Sequence, residues 1–228
     1  MRTAILIYPQ AARRAHQNLV RDWWALEVNA GAVGGPLSIL AETAAARRIR
    51  SPAETSIPGF RCLELAASAP RLSVVVGNPQ FDPASWAVPP DGVIVGLAPE
   101  HSWDDVQDSA RQHSALAVCS LVDQLRDQAP ADADRLVVTG GLSRNPSWVQ
   151  AVADAIGQPV HVPDTETSPG VGGASVVVGE PLWSALDEEL CHVYEPRPEA
   201  SERYRRQWSS YIAVCDEIRH LSRRSEVA

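Results

Sequence analysis

The sequence predicts an α/β layered domain, on three observations. Short β-branched runs bounded by proline or glycine recur along the chain, the clearest being Leu72-Ser73-Val74-Val75-Val76 between Pro70 and Gly77. Between such runs lie stretches with apolar residues at helical spacing, such as Val106, Ala110, Leu116, Ala117, Leu121 and Leu125. A chain of 228 residues with 45% hydrophobic content can also build one sizeable core or two small ones. Strands alternating with helices imply a sheet layer covered by helices.

The elements follow in order. Residues 3–8 are an opening strand candidate, residues 23–28 read as a strand, and residues 31–48 as a helix entered through Asn29-Ala30-Gly31. Residues 50–70 mix Pro52, Pro58 and Gly59 with a short apolar run and suit an irregular insertion with a helical turn or two. Residues 72–76 and 93–95 are strands joined by a Pro-rich loop long enough to reach a ligand. Ser102-Trp103-Asp104-Asp105 signals a helix start, and the apolar spacing after it gives a helix of about six turns. Residues 134–139 are the next strand, 146–156 a helix stopped by Gly157, and 159–162 another short strand. Residues 168–190 are rich in small residues at first and helical later, and residues 199–223 close the chain as a helix with Tyr204, Trp208, Tyr211, Cys215 and Ile218 on one side.

Composition excludes several classes of function. A formal net charge of -8 argues against a nucleic-acid surface, which draws on clustered positive charge. No run approaches the roughly 18 apolar residues needed to cross a bilayer, and the opening run is too short for a signal peptide, so the cytoplasm is the expected location. Cys62, Cys119, Cys191 and Cys215 lie far apart, which indicates buried free thiols rather than a metal site or a disulfide framework. All 20 basic residues are arginine. Chemistry that requires a lysine, including the Walker phosphate loop and Schiff-base catalysis, is therefore ruled out, and a nucleotide has to be held by backbone amides and helix ends.

The pivot is Val137-Val138-Thr139-Gly140-Gly141-Leu142-Ser143-Arg144-Asn145-Pro146-Ser147-Trp148, an apolar strand that breaks into two glycines and restarts as a helix capped by Asn145. A strand, a glycine turn and a helix start together make a site for a nucleotide or another anion. Trp148 reads as core, and His113 as a structural residue on a packed helix.

This segment, with Ala153-Asp154-Ala155-Ile156-Gly157-Gln158-Pro159-Val160 after it, resembles the C-terminal, nucleotide-binding domain of the FGGY carbohydrate kinases. Trp24-Ala25-Leu26-Glu27-Val28-Asn29-Ala30-Gly31, Val171-Gly172-Gly173-Ala174 and the ending at Tyr194-Glu195-Pro196 are similar to further family segments. The resemblance implies an actin-like, ribonuclease H-like ATPase lobe with a mixed sheet flanked by helices. It makes residues 23–228 the C-terminal domain and residues 1–22 a remnant or cover segment. It implies ATP and Mg²⁺ as cofactors, no metal held by the protein itself, and nucleotide contacts at Gly140, Gly141 and Asn145, with the amides of 145–147 facing the ligand at a positive helix end. Gly34 and Ser38 match family positions near the phosphates and nucleotide.

The family's Asp-x-Gly-Thr phosphate loop and its catalytic aspartate belong before Trp23, where the first glycine is still to come and the only aspartate is Asp22. No catalytic residue is assigned. Where relatives have a Gly-Glu-Arg-x-Pro loop, the chain has Gly77-Asn78-Pro79-Gln80, without either charge, and His113 stands where many carry a glutamate. Three readings stay open. The first is the ATP-binding lobe of a sugar kinase, inactive alone and partnered by a complementing N-terminal lobe or a second copy of the chain. The second is a non-catalytic descendant that binds nucleotide or other proteins. The third, an unrelated dinucleotide-binding protein, lacks a G-x-G-x-x-G after a strand.

Overall fold

The computed structural model describes residues 2–7, 14–17, 23–28, 34–46, 60–63, 72–76, 92–126, 135–163, 177–178 and 191–225. They fall into two compact units, one built from residues 1–29 and 119–201, the other from residues 30–118 and 202–228.

The first unit holds two sheets. In one, β1 (Arg2–Ile7) runs parallel to β3 (Trp23–Val28), and β2 (Arg14–Gln17) lies antiparallel on the other side of β3. In the other, β7 (Leu136–Val137) is parallel to β8 (Val160–Pro163), and β9 (Cys191–Tyr194) is antiparallel to β8. The helix α3 (Pro146–Ile156) connects β7 to β8 after a short 3₁₀ turn. It buries Trp148, Val149, Ala151, Val152 and Ala153, a stripe wide enough to hold a helix against a sheet through the removal of apolar surface from water. Gly157 ends it in the left-handed conformation at φ 74, a position that glycine occupies without steric cost.

The second unit centres on one sheet in the order β4 (Phe60–Leu63), β6 (Gly92–Val95), β5 (Ser73–Val76), with β4 parallel and β5 antiparallel to β6. All four residues of β6 are buried, as a central strand covered on both faces requires. Helix α1 (Gly34–Ala46) belongs to this unit, as does α2 (Trp103–Arg126) up to Val118. Val75, Val93 and Val95 pack with Val214 and Ile218 of α4 (Pro198–Ser225), all but its first turn of which lies here. Ser102 caps α2: its N–H donates to the Asp105 carboxylate at 2.8 Å, and its hydroxyl accepts the Asp105 N–H at 3.2 Å. The Ser102 hydroxyl and N–H hold the exposed Asp105 carboxyl below its ordinary pKa.

Most elements stand within a few residues of their expected bounds. Three differ. Phe60–Leu63, inside the expected irregular insertion, is a strand because parallel pairing with β6 decides its conformation. The strand expected over 134–139 shrinks to Leu136–Val137, since the chain turns at Gly140. β2 and β9 have no strong strand signature and form through pairing with β3 and β8. Apart from residues 177 and 178, the helix expected late in 168–190 lies outside the described residues, as do Asn29-Ala30-Gly31 and the loop at 77–91.

Candidate functional site

The Gly-Gly turn begins where sheet pairing ends. The Val138 N–H donates to the His161 carbonyl at 2.9 Å, one residue beyond the β7–β8 ladder. Gly140 then takes φ 87 and ψ -165, a region essentially restricted to glycine. Residues Gly141–Arg144 make a single 3₁₀ turn, closed when the Ser143 N–H (3.2 Å) and hydroxyl (2.6 Å) both donate to the Gly140 carbonyl. A methyl group placed on Gly140 or Gly141 meets no atom of the described residues within 4 Å, and both glycines are exposed. The glycine side of the turn is therefore open, with backbone accessible to a ligand.

The helix start beyond it is capped from within. Asn145, extended at φ -104 and ψ 95, is the N-cap of α3, and Pro146 follows at the first helical position, where its missing N–H costs nothing. The Asn145 side-chain oxygen accepts from the Trp148 N–H at 3.1 Å and from the Ser147 hydroxyl at 2.8 Å. Asn145's own N–H donates to the Leu142 carbonyl at 3.0 Å. Among the amides of 145–147, Pro146 has none and that of Asn145 is engaged, which leaves the Ser147 N–H as the donor the cap does not use among the described residues. The Asn145 side-chain NH₂ is the second.

Behind the turn, α3 is pinned at its other end by Asp154. This carboxylate is fully buried, yet accepts from the Arg197 N–H (2.8 Å), from its Nε (3.1 Å) and Nη2 (2.6 Å), and from Gln150 Nε2 (3.0 Å). Gln150 Nε2 also donates to the Glu195 carbonyl at 2.8 Å. Sequence reasoning assigned no role to this cluster. Its signal was a lone acid on the apolar stripe of α3, since a carboxylate is buried only when paired.

Gly140, Gly141 and Asn145 thus lie together in the first unit. Gly34 is the first residue of α1 and Ser38 sits exposed on the same helix, in the second unit. His113 bears out its structural reading: on α2, its Nδ1 donates to the Ser109 carbonyl at 2.8 Å, its ring lies 5.8 Å from that of Tyr211, and burial lowers its pKa. Trp148 is core, as expected. Burial raises the Cys119 thiol to about 11, which leaves it protonated and unreactive at neutral pH. Among the described residues no three His, Cys, Asp or Glu side chains are grouped to hold a metal ion, and no helix is long and apolar enough to cross a membrane.

The site is thus a strand, a glycine turn and a capped helix following one another in an α/β lobe. The model of the C-terminal domain of the FGGY family of carbohydrate kinases matches residues 16–178, and the chain belongs to that family. It is similar to an uncharacterized sugar kinase of Archaeoglobus fulgidus, 25% identical over 134 residues that cover 56% of this chain and 26% of the relative. An autoinducer-2 kinase of Photorhabdus laumondii is 30% identical over 110 residues, 45% of this chain and 21% of the relative. The chain thus spans about a quarter of the length of these relatives. The crystal structure of a xylulose kinase from Rhodospirillum rubrum superposes with a TM-score of 0.57 at 20% identity, over 82% of this chain and 38% of that one. The fold is that of the actin-like ATPases, as expected.

Proposed function

We propose that this chain is the ATP-holding lobe of a carbohydrate kinase, a transferase that moves the γ-phosphoryl group of ATP to a sugar hydroxyl. The observation that carries the reading is the open Gly140-Gly141 turn built directly onto the Asn145 cap, in a chain of the FGGY family. Gly140 and Gly141 let the nucleotide approach the backbone, and Asn145 and Ser147 offer donors to its adenosine end; Gly34 and Ser38 match, by resemblance, family positions near the phosphates and nucleotide. ATP supplies the phosphoryl group. Mg²⁺ accompanies its phosphates. The sugar hydroxyl's proton passes to a base on a complementing N-terminal lobe, which also brings the phosphate loop and most of the sugar pocket. Residues 23–228 form the C-terminal domain in this reading, and residues 1–22 add strands that pair onto β3. The chain works in the cytoplasm, where ATP-dependent sugar phosphorylation takes place, without nucleic-acid or membrane partners.

A second reading, a non-catalytic descendant, is favoured by one specific feature. The cap engages most of the polar groups at the α3 start, so fewer remain for a nucleotide than in an uncapped helix end. Titration of the purified chain with Mg-ATP separates the two. Binding raises stability by about 2.7 kcal/mol at a hundredfold excess over Kd, seen as a higher Tm, and Asn145→Ala reduces the rise. No shift in Tm or tryptophan emission favours the descendant. Sugar phosphorylation by the isolated chain contradicts the assignment of the base to another lobe.

A further inference from the structure

We infer that Asp154 is a positioning residue for the nucleotide turn, acting through α3; the inference rests on the nucleotide reading of that turn. Apolar packing is non-directional, so the buried stripe of α3 fixes which face meets the sheet but leaves rotation and axial sliding weakly determined. Among the described residues, the directional contacts of α3 with the segment after β9 include those of Asp154 and Gln150, one turn apart, to Arg197 and Glu195. That segment follows β9, β9 pairs with β8, β8 pairs with β7, and β7 leads into Gly140. Strand, turn, helix and clamp close a ring. The Gly140–Asn145 turn is held on its sheet side by the β7–β8 ladder and on its helix side by the Asp154 clamp. Loosening the clamp lets the capped helix start drift relative to the turn, and a shift on the order of 1 Å at a ligand-holding group is enough to weaken binding.

The test compares the full chain with Asp154→Asn, which keeps the shape but removes the charge, and with Val152→Ala, which destabilises the same helix through its apolar face alone. Amide hydrogen exchange and Mg-ATP titration are run well below the Tm of every variant. In Asp154→Asn the Asn145 and Trp148 amides exchange about tenfold faster while those of β6 hold, and the Kd for Mg-ATP rises about fivefold. In Val152→Ala both readouts stay within about twofold, whatever its loss of Tm. Unchanged exchange in Asp154→Asn, equal effects in the two variants, or an unchanged Kd in the face of faster exchange overturns the inference. Should Asp154→Asn fail to fold, Gln150→Ala removes the neutral arm of the clamp; faster exchange at Trp148 supports the inference and no change overturns it. A wild-type chain that does not bind Mg-ATP sinks the nucleotide reading alone, and the exchange data still decide the positioning.

Discussion

Two helices of this molecule are tied to their surroundings by polar side chains, and in opposite ways. In the first unit, α3 is held by a buried carboxylate that gathers the main-chain and side-chain donors of Arg197 together with Gln150. In the second, α2 is held by a neutral hydroxyl: Ser109 Oγ accepts the Val74 N–H at 3.0 Å and donates to the Leu72 carbonyl at 3.1 Å, bracketing the start of β5. The hydroxyl satisfies one donor and one acceptor of a strand edge with a single atom, in a region whose core already fixes the packing through Val74, Ile94, Val106 and Leu116. The carboxylate takes several bonds from one residue on a helix that carries a turn with a proposed ligand. Charge is used where placement matters, and a neutral bridge where packing already decides it.

The comparison breaks first at Arg197. Arg197→Ala leaves a fully buried carboxylate with one side-chain donor and a backbone N–H; even with the guanidinium largely exposed, the loss is about 3 kcal/mol, measured by urea unfolding. Ser109→Ala unpairs two backbone groups of the β5 start and costs about 2 kcal/mol in the same assay. An Arg197→Ala loss smaller than that of Ser109→Ala refutes the contrast. Gly140→Ala forces a side chain into glycine-only backbone and costs about 1–2 kcal/mol, whereas Gly141→Ala, with open space around it and no positive φ, stays within about 0.5 kcal/mol. The smallest effect sharpens the neutral side. Because burial lowers the pKa of His113 in the fold, the unfolded chain binds the proton more readily; stability is full above the ordinary histidine value of about 6.5 and falls as pH drops below it. Melting curves from pH 7.5 to 5 should fall less steeply for His113→Gln than for wild type.

Where local chemistry decided structure, the sequence was readable. Asn145 followed by Pro146 announced the α3 start, Gly157 its end, and the spacing after Ser102 gave α2 almost whole. Where pairing partners decided it, the sequence was silent: Phe60–Leu63 and Cys191–Tyr194 are strands because of β6 and β8, and nothing within four residues says so. The candidate site divides the same way. Its glycines and cap were visible as a linear motif, while the Asp154 clamp joins residues 43 apart and becomes visible only once α3 lies beside the segment after β9.

The Asn145 cap gives the helix start a one-way polarity. With its oxygen turned inward to Trp148 and Ser147, the asparagine keeps only its amino hydrogens for a ligand, so in the proposed nucleotide role it would select for lone pairs such as a ring nitrogen or a ribose oxygen and give nothing to a donor. Aspartate at the same position keeps the inward half and loses the outward one. Asn145→Asp should therefore retain the melting temperature of the apo chain while abolishing the ATP-dependent rise, a separation of folding from recognition that alanine, which deletes both halves, cannot produce.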